Sequence, residues 1–232
     1  MTFISNLSCL YACSGITAIF YAKPREIESS SFAISGMRRG VSSLGVYVLA
    51  FFSYLYKVKK SKSFLLDFEI DGLTNSILNT VSGESFATEI SLLIKADLKQ
   101  VTKSKGWLFN WREELKSIDR EVYKLTIVNN PTIIQGTLSL TVNADHVFIH
   151  LIENAPFNRH KNKIYEGVPG NLIAFACKTS FQRGGAGFVS FRAKTKLIDH
   201  YIETLGAYHF ANQLMVIDTD GANKLVEKYF KN

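Results

Sequence analysis

The stretch "KNKIYEGVPGNLIAFACKTS", residues 161–180, decides how the chain is read. A polar loop ends in Gly167-Val168-Pro169-Gly170 and runs directly into apolar residues with helical spacing. A helix starts with four N–H groups that its own turns cannot satisfy, and its dipole puts about half a positive charge there. Glycines let the backbone approach whatever accepts those donors, because no Cβ stands in the way. The stretch therefore reads in two ways: as an ordinary turn at a helix start, or as a seat for an anion such as phosphate.

The flanking sequence frames that choice. Upstream lie three strand candidates, "EVYKLTIV" (121–128), "IIQGTLSLTV" (133–142) and "HVFIHLIENA" (146–155), rich in β-branched and aromatic residues. Asn129-Asn130-Pro131 and Asn143-Ala144-Asp145 separate them with hairpin chemistry, so they form an antiparallel meander. Downstream come a strand over 185–195, a helix over 196–207, a strand over 212–218 and a closing helix over 221–230. Before the meander, "SFLLDFEI" (63–70) alternates like a strand. Asp71-Gly72 and Ser82-Gly83 then break the chain. Residues 88–100 place Ile90, Leu93, Ile94 and Leu98 at helical spacing and read as a helix. Trp107, Phe109 and Trp111 precede a short charged helix and read as a core plug, a lid or a ligand stack. The order predicts an α+β fold: a mixed, mostly antiparallel central sheet with helices on both faces.

Charge divides the chain in two. Residues 1–62 carry eight Lys or Arg against two Glu, so +6 of the total +7 lies there and the remainder is nearly neutral. A near-neutral body argues against nucleic acid as a partner, which needs cations spread over the folded face. Two apolar stretches, 3–21 and 41–56, make residues 1–62 a membrane anchor, helices packed on the main domain, or an extension upstream of a later start such as Met37. The basic run Lys57–Lys62 would keep the downstream chain on the cytosolic side, so the expected location is cytoplasmic, tethered or free. Cys9, Cys13 and Cys177 lack the spacing of a disulfide framework or a metal site, which points to a reducing compartment and no metal. The expected division is 1–62 and 63–232.

Strand, Pro156, polar loop, Gly167-Val168-Pro169-Gly170-Asn171-Leu172-Ile173, helix, strand, helix ending Leu205-Gly206-Ala207, strand: over about residues 121–230 this order resembles the GNAT N-acetyltransferase family. In that family a loop of the form Gln/Arg-x-x-Gly-x-Gly/Ala holds the coenzyme A pyrophosphate at a helix start. The chain departs from it at Ile164, where Gln or Arg is expected and Lys163 lies alongside, and at Pro169, which has no N–H to give. The literal match "QRGGAG" (182–187) is followed by strand-like alternation, Phe188, Ser190, Arg192 and Lys194 against Val189, Phe191 and Ala193. A phosphate loop must open a helix, so residues 182–187 read as a turn.

The resemblance implies acetyl-CoA as co-substrate and a small-molecule or peptide amine as acceptor. The cofactor would be held by Leu151, Ile152, Lys163, Gly167, Val168, Gly170, Asn171 and Leu172. Arg159, His160 and Lys161 lie in the same long loop, as further phosphate partners or a solvated stretch. Glu153, at the end of the strand before the loop, is the candidate base, with His150 behind it. Tyr201 is the candidate acid for the thiolate. It stands five residues before Gly206, where the family usually has its tyrosine four before, and Tyr208 is the fallback. Glu113 and Glu114, with the three aromatics, would suit a cationic amine. The other reading is a catalytically weak or inactive module of this fold that binds acyl-CoA or a partner.

Overall fold

The computed structural model describes residues 12–13, 16–17, 64–71 and 76–230. The chain divides into two units, Met1–Ser42 and Ser43–Asn232. In the first, the two-residue strands β1 (Ala12–Cys13) and β2 (Ile16–Thr17) pair antiparallel. The two apolar stretches and the basic run otherwise lie outside the described residues. Among the described residues no helix is long and apolar enough to cross a membrane.

The second unit is built on the expected meander. Strands β6 (Glu121–Ile127), β7 (Asn130–Val142) and β8 (Val147–Asn154) pair antiparallel in sequence order. Asn129 takes the left-handed conformation (φ 66°) that the first tight turn requires. With β5 (Thr88–Leu92), β10 (Val189–Arg192), β11 (Tyr208–Ala211) and β12 (Leu214–Ile217) they form a seven-stranded sheet ordered β11-β12-β10-β8-β7-β6-β5. Strands β3 (Ile77–Asn79), β4 (Ser85–Phe86) and β9 (Tyr165–Glu166) make a small second sheet, and Gly83 (φ 72°) turns between its first two members.

Two apolar layers cover the large sheet. The larger core joins α2 (Val168–Gln182), α3 (Ile198–Leu205) and α4 (Thr219–Phe230) to residues such as Leu125, Leu138, Ile149 and Phe191. The smaller one places α1 (Trp111–Lys116), with Trp107 and Trp111, against Val122, Ile134 and Leu151. The aromatic cluster is therefore a core plug: Trp111 has no exposed surface, and truncating a residue of that size costs about 3–5 kcal/mol. The fold is the expected α+β class, with helices on both faces.

Residues 88–100 are corrected. Thr88–Leu92 pair with β6, and the helical part is a short 3₁₀ turn, Lys95–Lys99. The apolar spacing fitted a helix, but Leu92 and Ile94 are more than half exposed, so no continuous apolar stripe faces the core. Strand β11 was not expected. All four of its residues are exposed, so it carries no period-2 pattern.

Candidate functional site

Strands β8 and β10 run parallel at Val147–Val189, Phe148–Ser190 and Ile149–Phe191; among the described residues every other pair of strands in the large sheet is antiparallel, and the isolated bridge Leu66–Ala193 is parallel. The parallel register ends there. His150 is an extra residue in β8, because Ser139 faces Leu151 while Leu140 faces Ile149. Such a bulge bends a strand and increases its twist. Beyond it, β8 continues to Asn154 without β10 beside it.

The chain's own residues 64–71 take the next place along β10. Leu66 N–H donates to Arg192 O (2.7 Å) and Lys194 N–H donates to Leu66 O (3.1 Å). Ala193 turns its N–H the other way, to Gln213 O beside β12 (2.8 Å). Backbone groups alternate sides along a strand, so Leu66 lies on the β8 side, in the gap. Farther along, the Tyr201 hydroxyl donates to Phe68 O (2.6 Å) and Ile70 N–H donates to His200 Nε2 (2.7 Å). Leu66 and Ile70 are buried, whereas Asp67 and Glu69 face solvent. The alternation read from the sequence holds, although the segment joins the sheet through Leu66 alone.

At the end of this segment the Asp71 carboxylate meets the start of α2. Its Oδ1 accepts from Gly167 N–H (2.9 Å) and its Oδ2 from the Lys163 ammonium (3.1 Å). Lys163 also pairs with Glu166 (3.2 Å). Burial pulls the Lys163 pKa down, but the two carboxylates outweigh it and leave it raised. Gly167 is the helix N-cap at φ 87°, a left-handed conformation that costs a side-chain-bearing residue about 1–2 kcal/mol. Gly167, Val168, Pro169 and Gly170 are buried. The helix start sits deep because Gly136 of β7 lies beneath it: a Cβ there would come within 2.6 Å of Val168 Cγ1.

The other expected residues fall into separate groups. Asn171 is buried; its amide donates to Gly167 O (2.9 Å) and Ser76 O (3.4 Å) and accepts from the Thr88 hydroxyl (3.2 Å). Leu172 and Ile152 lie in the larger core and Leu151 in the smaller. Glu153 points into the smaller core, where its carboxylate accepts from Leu108 N–H (2.6 Å), Phe109 N–H (3.4 Å) and Trp111 Nε1–H (2.7 Å). Arg159 donates to Gly106 O and approaches Glu153 (3.6 Å), so it clamps that segment. His160 and Lys161 are exposed. Tyr201 is fully buried, and burial pushes its phenol pKa up. His150 bonds Thr141 Oγ1 through Nε2 (2.8 Å); burial, then the Arg120 charge, lower its pKa to about 4. Tyr208 lies on the exposed strand β11.

Glu114 is buried, not presented to a ligand, and is held by Arg120 (2.6 Å) and the Ser139 hydroxyl (2.6 Å). The turn expected over 182–187 lies between α2 and β10, with Gln182 as the last residue of the helix. Sequence reasoning missed Asp71 and His200. Asp71 beside Gly72 reads as a turn, and its partners stand 92 and 96 residues away.

No family model and no curated protein matches the chain. Solved structures do. The ribosomal-protein-S18-alanine N-acetyltransferase from Escherichia coli is 16% identical, covering 56% of this chain and 92% of that one, with a TM-score of 0.42. The spermidine N-acetyltransferase from Vibrio cholerae, in complex with CoA and spermine, is 14% identical, covering 59% and 98%, also at 0.42. A nourseothricin acetyltransferase is 12% identical, covering 56% and 97%, at 0.36. All three are acetyltransferases. At such identities and scores, what the site does has to come from its own residues.

Proposed function

We propose that the chain is an acetyl-CoA-dependent N-acyltransferase that moves an acetyl group to an amine by direct attack on the thioester. One observation carries this: the start of α2 holds an anion, the Asp71 carboxylate, on the Gly167 N–H and the Lys163 ammonium. A diphosphate carries more charge and more acceptor oxygens than one carboxylate, so the same donors favour it. In this reading Lys163, Gly167, Val168 and Gly170 face the diphosphate, while Pro169 gives nothing. Asn171 and Leu172 fix the first turn of α2 behind them. The cofactor's extended arm follows β8 along the backbone of Leu151 and Ile152, in the gap beyond Ile149.

The chemistry falls to two side chains. Tyr201 sets its hydroxyl on Phe68 O, two residues along from Leu66, and keeps its proton at neutral pH, as an acid for the departing thiolate must. Glu153 acts as the base through a water. Its three N–H donors fill most of a carboxylate's roughly four acceptor positions, so a direct role is the weaker choice. His150, uncharged at neutral pH, is the alternative. The acceptor is an amine on a small molecule or peptide. The second reading, a module that binds acyl-CoA with little turnover, is favoured by one fact: Leu66 of the segment 64–71 takes the place beside β10 in the gap.

Acetyl-CoA at a hundred times its dissociation constant should stabilise the protein by about 2.7 kcal/mol, read as a rise in melting temperature. Release of free CoA with a panel of amines then separates the readings. Binding without release selects the module, and no binding at any concentration removes both.

A further inference from the structure

We infer that residues 64–71 are a built-in competitor of the cofactor, which must leave the gap before acyl-CoA enters. The inference rests on the transferase reading above. Three observations carry it. The first is position: Leu66 occupies the backbone place on β10 that the parting of β8 leaves open, and it pairs there through both N–H and C=O. The second is the order of contacts along the segment. An apolar extended stretch comes first, with Leu66 and Ile70 buried, and a carboxylate comes last, on Gly167 and Lys163. A long flexible arm ending in a diphosphate has the same polarity: apolar and amide-bearing, then anionic. The third is Tyr201, the proposed acid, whose hydroxyl is spent on Phe68 O while the segment is in place. One polypeptide stretch thus blocks the arm, the phosphate donors and the acid together.

The occupant is tied in lightly. One residue joins the sheet ladder, two side chains from α3 reach its backbone, and one carboxylate closes the end. The Asp67 pairs with Lys194 and Lys196 stand at 40–69% exposure, where solvent screening leaves them little hold on the segment. Removing the Asp71 anion frees Gly167 N–H and leaves Lys163 with Glu166 alone, without touching a residue of the transfer chemistry.

The test uses the full chain. Asp71→Ala should bind acetyl-CoA at least about tenfold more tightly than the parent by calorimetry, a gain of about 1.4 kcal/mol. In a Cys9→Ser, Cys13→Ser background, Leu66→Cys with Ala193→Cys should cross-link under oxidation, lose acetyl-CoA affinity by the same factor or more, and regain it on reduction. Hydrogen exchange supplies the local readout: acetyl-CoA should speed exchange at the Leu66 and Ile70 amides while protecting Gly167.

Equal affinity in the parent and Asp71→Ala, or undiminished binding by the cross-linked protein, overturns the competitor and leaves the transferase standing. Failure of the cysteines to cross-link, scored by mass spectrometry, also overturns it. If no form binds acetyl-CoA, even Asp71→Ala, the transferase reading falls and takes this inference with it.

Discussion

The chain has two glycine-rich stretches that look alike on paper and do different things in space. In "EGVPG" the chain opens a helix, and the Gly167 N–H is turned on a carboxylate from another part of the fold. In "QRGGAG" the amides serve the local turn. Gly185 N–H donates to Ser180 O (2.8 Å) and Phe188 N–H to Gly185 O (2.9 Å), while the Ser180 hydroxyl donates to Gly185 O and Phe188 O. Gly184 and Gly187 supply the left-handed turns at φ 88° and 85°. What marks an anion seat is not glycine count but whether an N–H is left over once the local backbone is satisfied.

The sharpest way to break this contrast is a matched pair of charges. Gly167→Asp puts a side chain at a left-handed position and a carboxylate beside the proposed diphosphate, and should weaken acetyl-CoA binding by about 100-fold or more. Gly184→Asp stands at a similar φ with nothing within 4 Å of its Cβ. It should leave binding unchanged and cost about 1 kcal/mol of stability. If calorimetry shows both variants weakening binding alike, the two stretches do not differ as described.

Acidification sharpens the contrast from the other side. Burial lowers the pKa of His146, whose backbone lies 3.1 Å from the Cβ that Gly185 lacks, and lowers that of His150 in the bulge to about 4. His150 is uncharged in the fold near neutral pH, so the unfolded chain takes up a proton there first, and the lowered pKa of His146 acts in the same direction. Stability is therefore whole above about pH 6.5 and falls as pH drops from there towards 4, by about 3 kcal/mol from His150 alone. Urea unfolding at each pH should show this, and His150→Gln should flatten most of the slope. Hydrogen exchange should loosen first at 146–150 and 185, not at 167–170. Gly136→Ala tests the close packing beneath the helix start. Its methyl would press on Val168, costing about 1–3 kcal/mol and lowering the melting temperature by several degrees.

The meander, the order of the later elements and the dismissal of "QRGGAG" were legible because each rests on local chemistry: alternation, Asn-rich turns, and strand periodicity after the glycines. Strand β5 was not, because Ile90, Leu93, Ile94 and Leu98 fit a helical period equally well. Pairing with Leu125 and its neighbours in β6 decides the matter. The partners of Glu153 were hidden for a similar reason. A carboxylate at a strand end reads as solvated, and only the packing of Trp111 beneath it turns it inward. Asp71 was the least legible, since no local pattern tells a turn carboxylate from one that grips a helix start nearly a hundred residues on.

The single ladder position at Leu66 has an energetic consequence. Fixing eight backbone residues costs about 1–2 kcal/mol each, and burying two aliphatic side chains with a handful of hydrogen bonds returns a similar sum. Opening and closing of such a segment stand near balance, within a few kcal/mol. Were the vacated form about 1% of the population, any visitor would show an apparent dissociation constant about a hundredfold above its intrinsic one. Affinity here is then set as much by how often the door stands ajar as by what waits behind it.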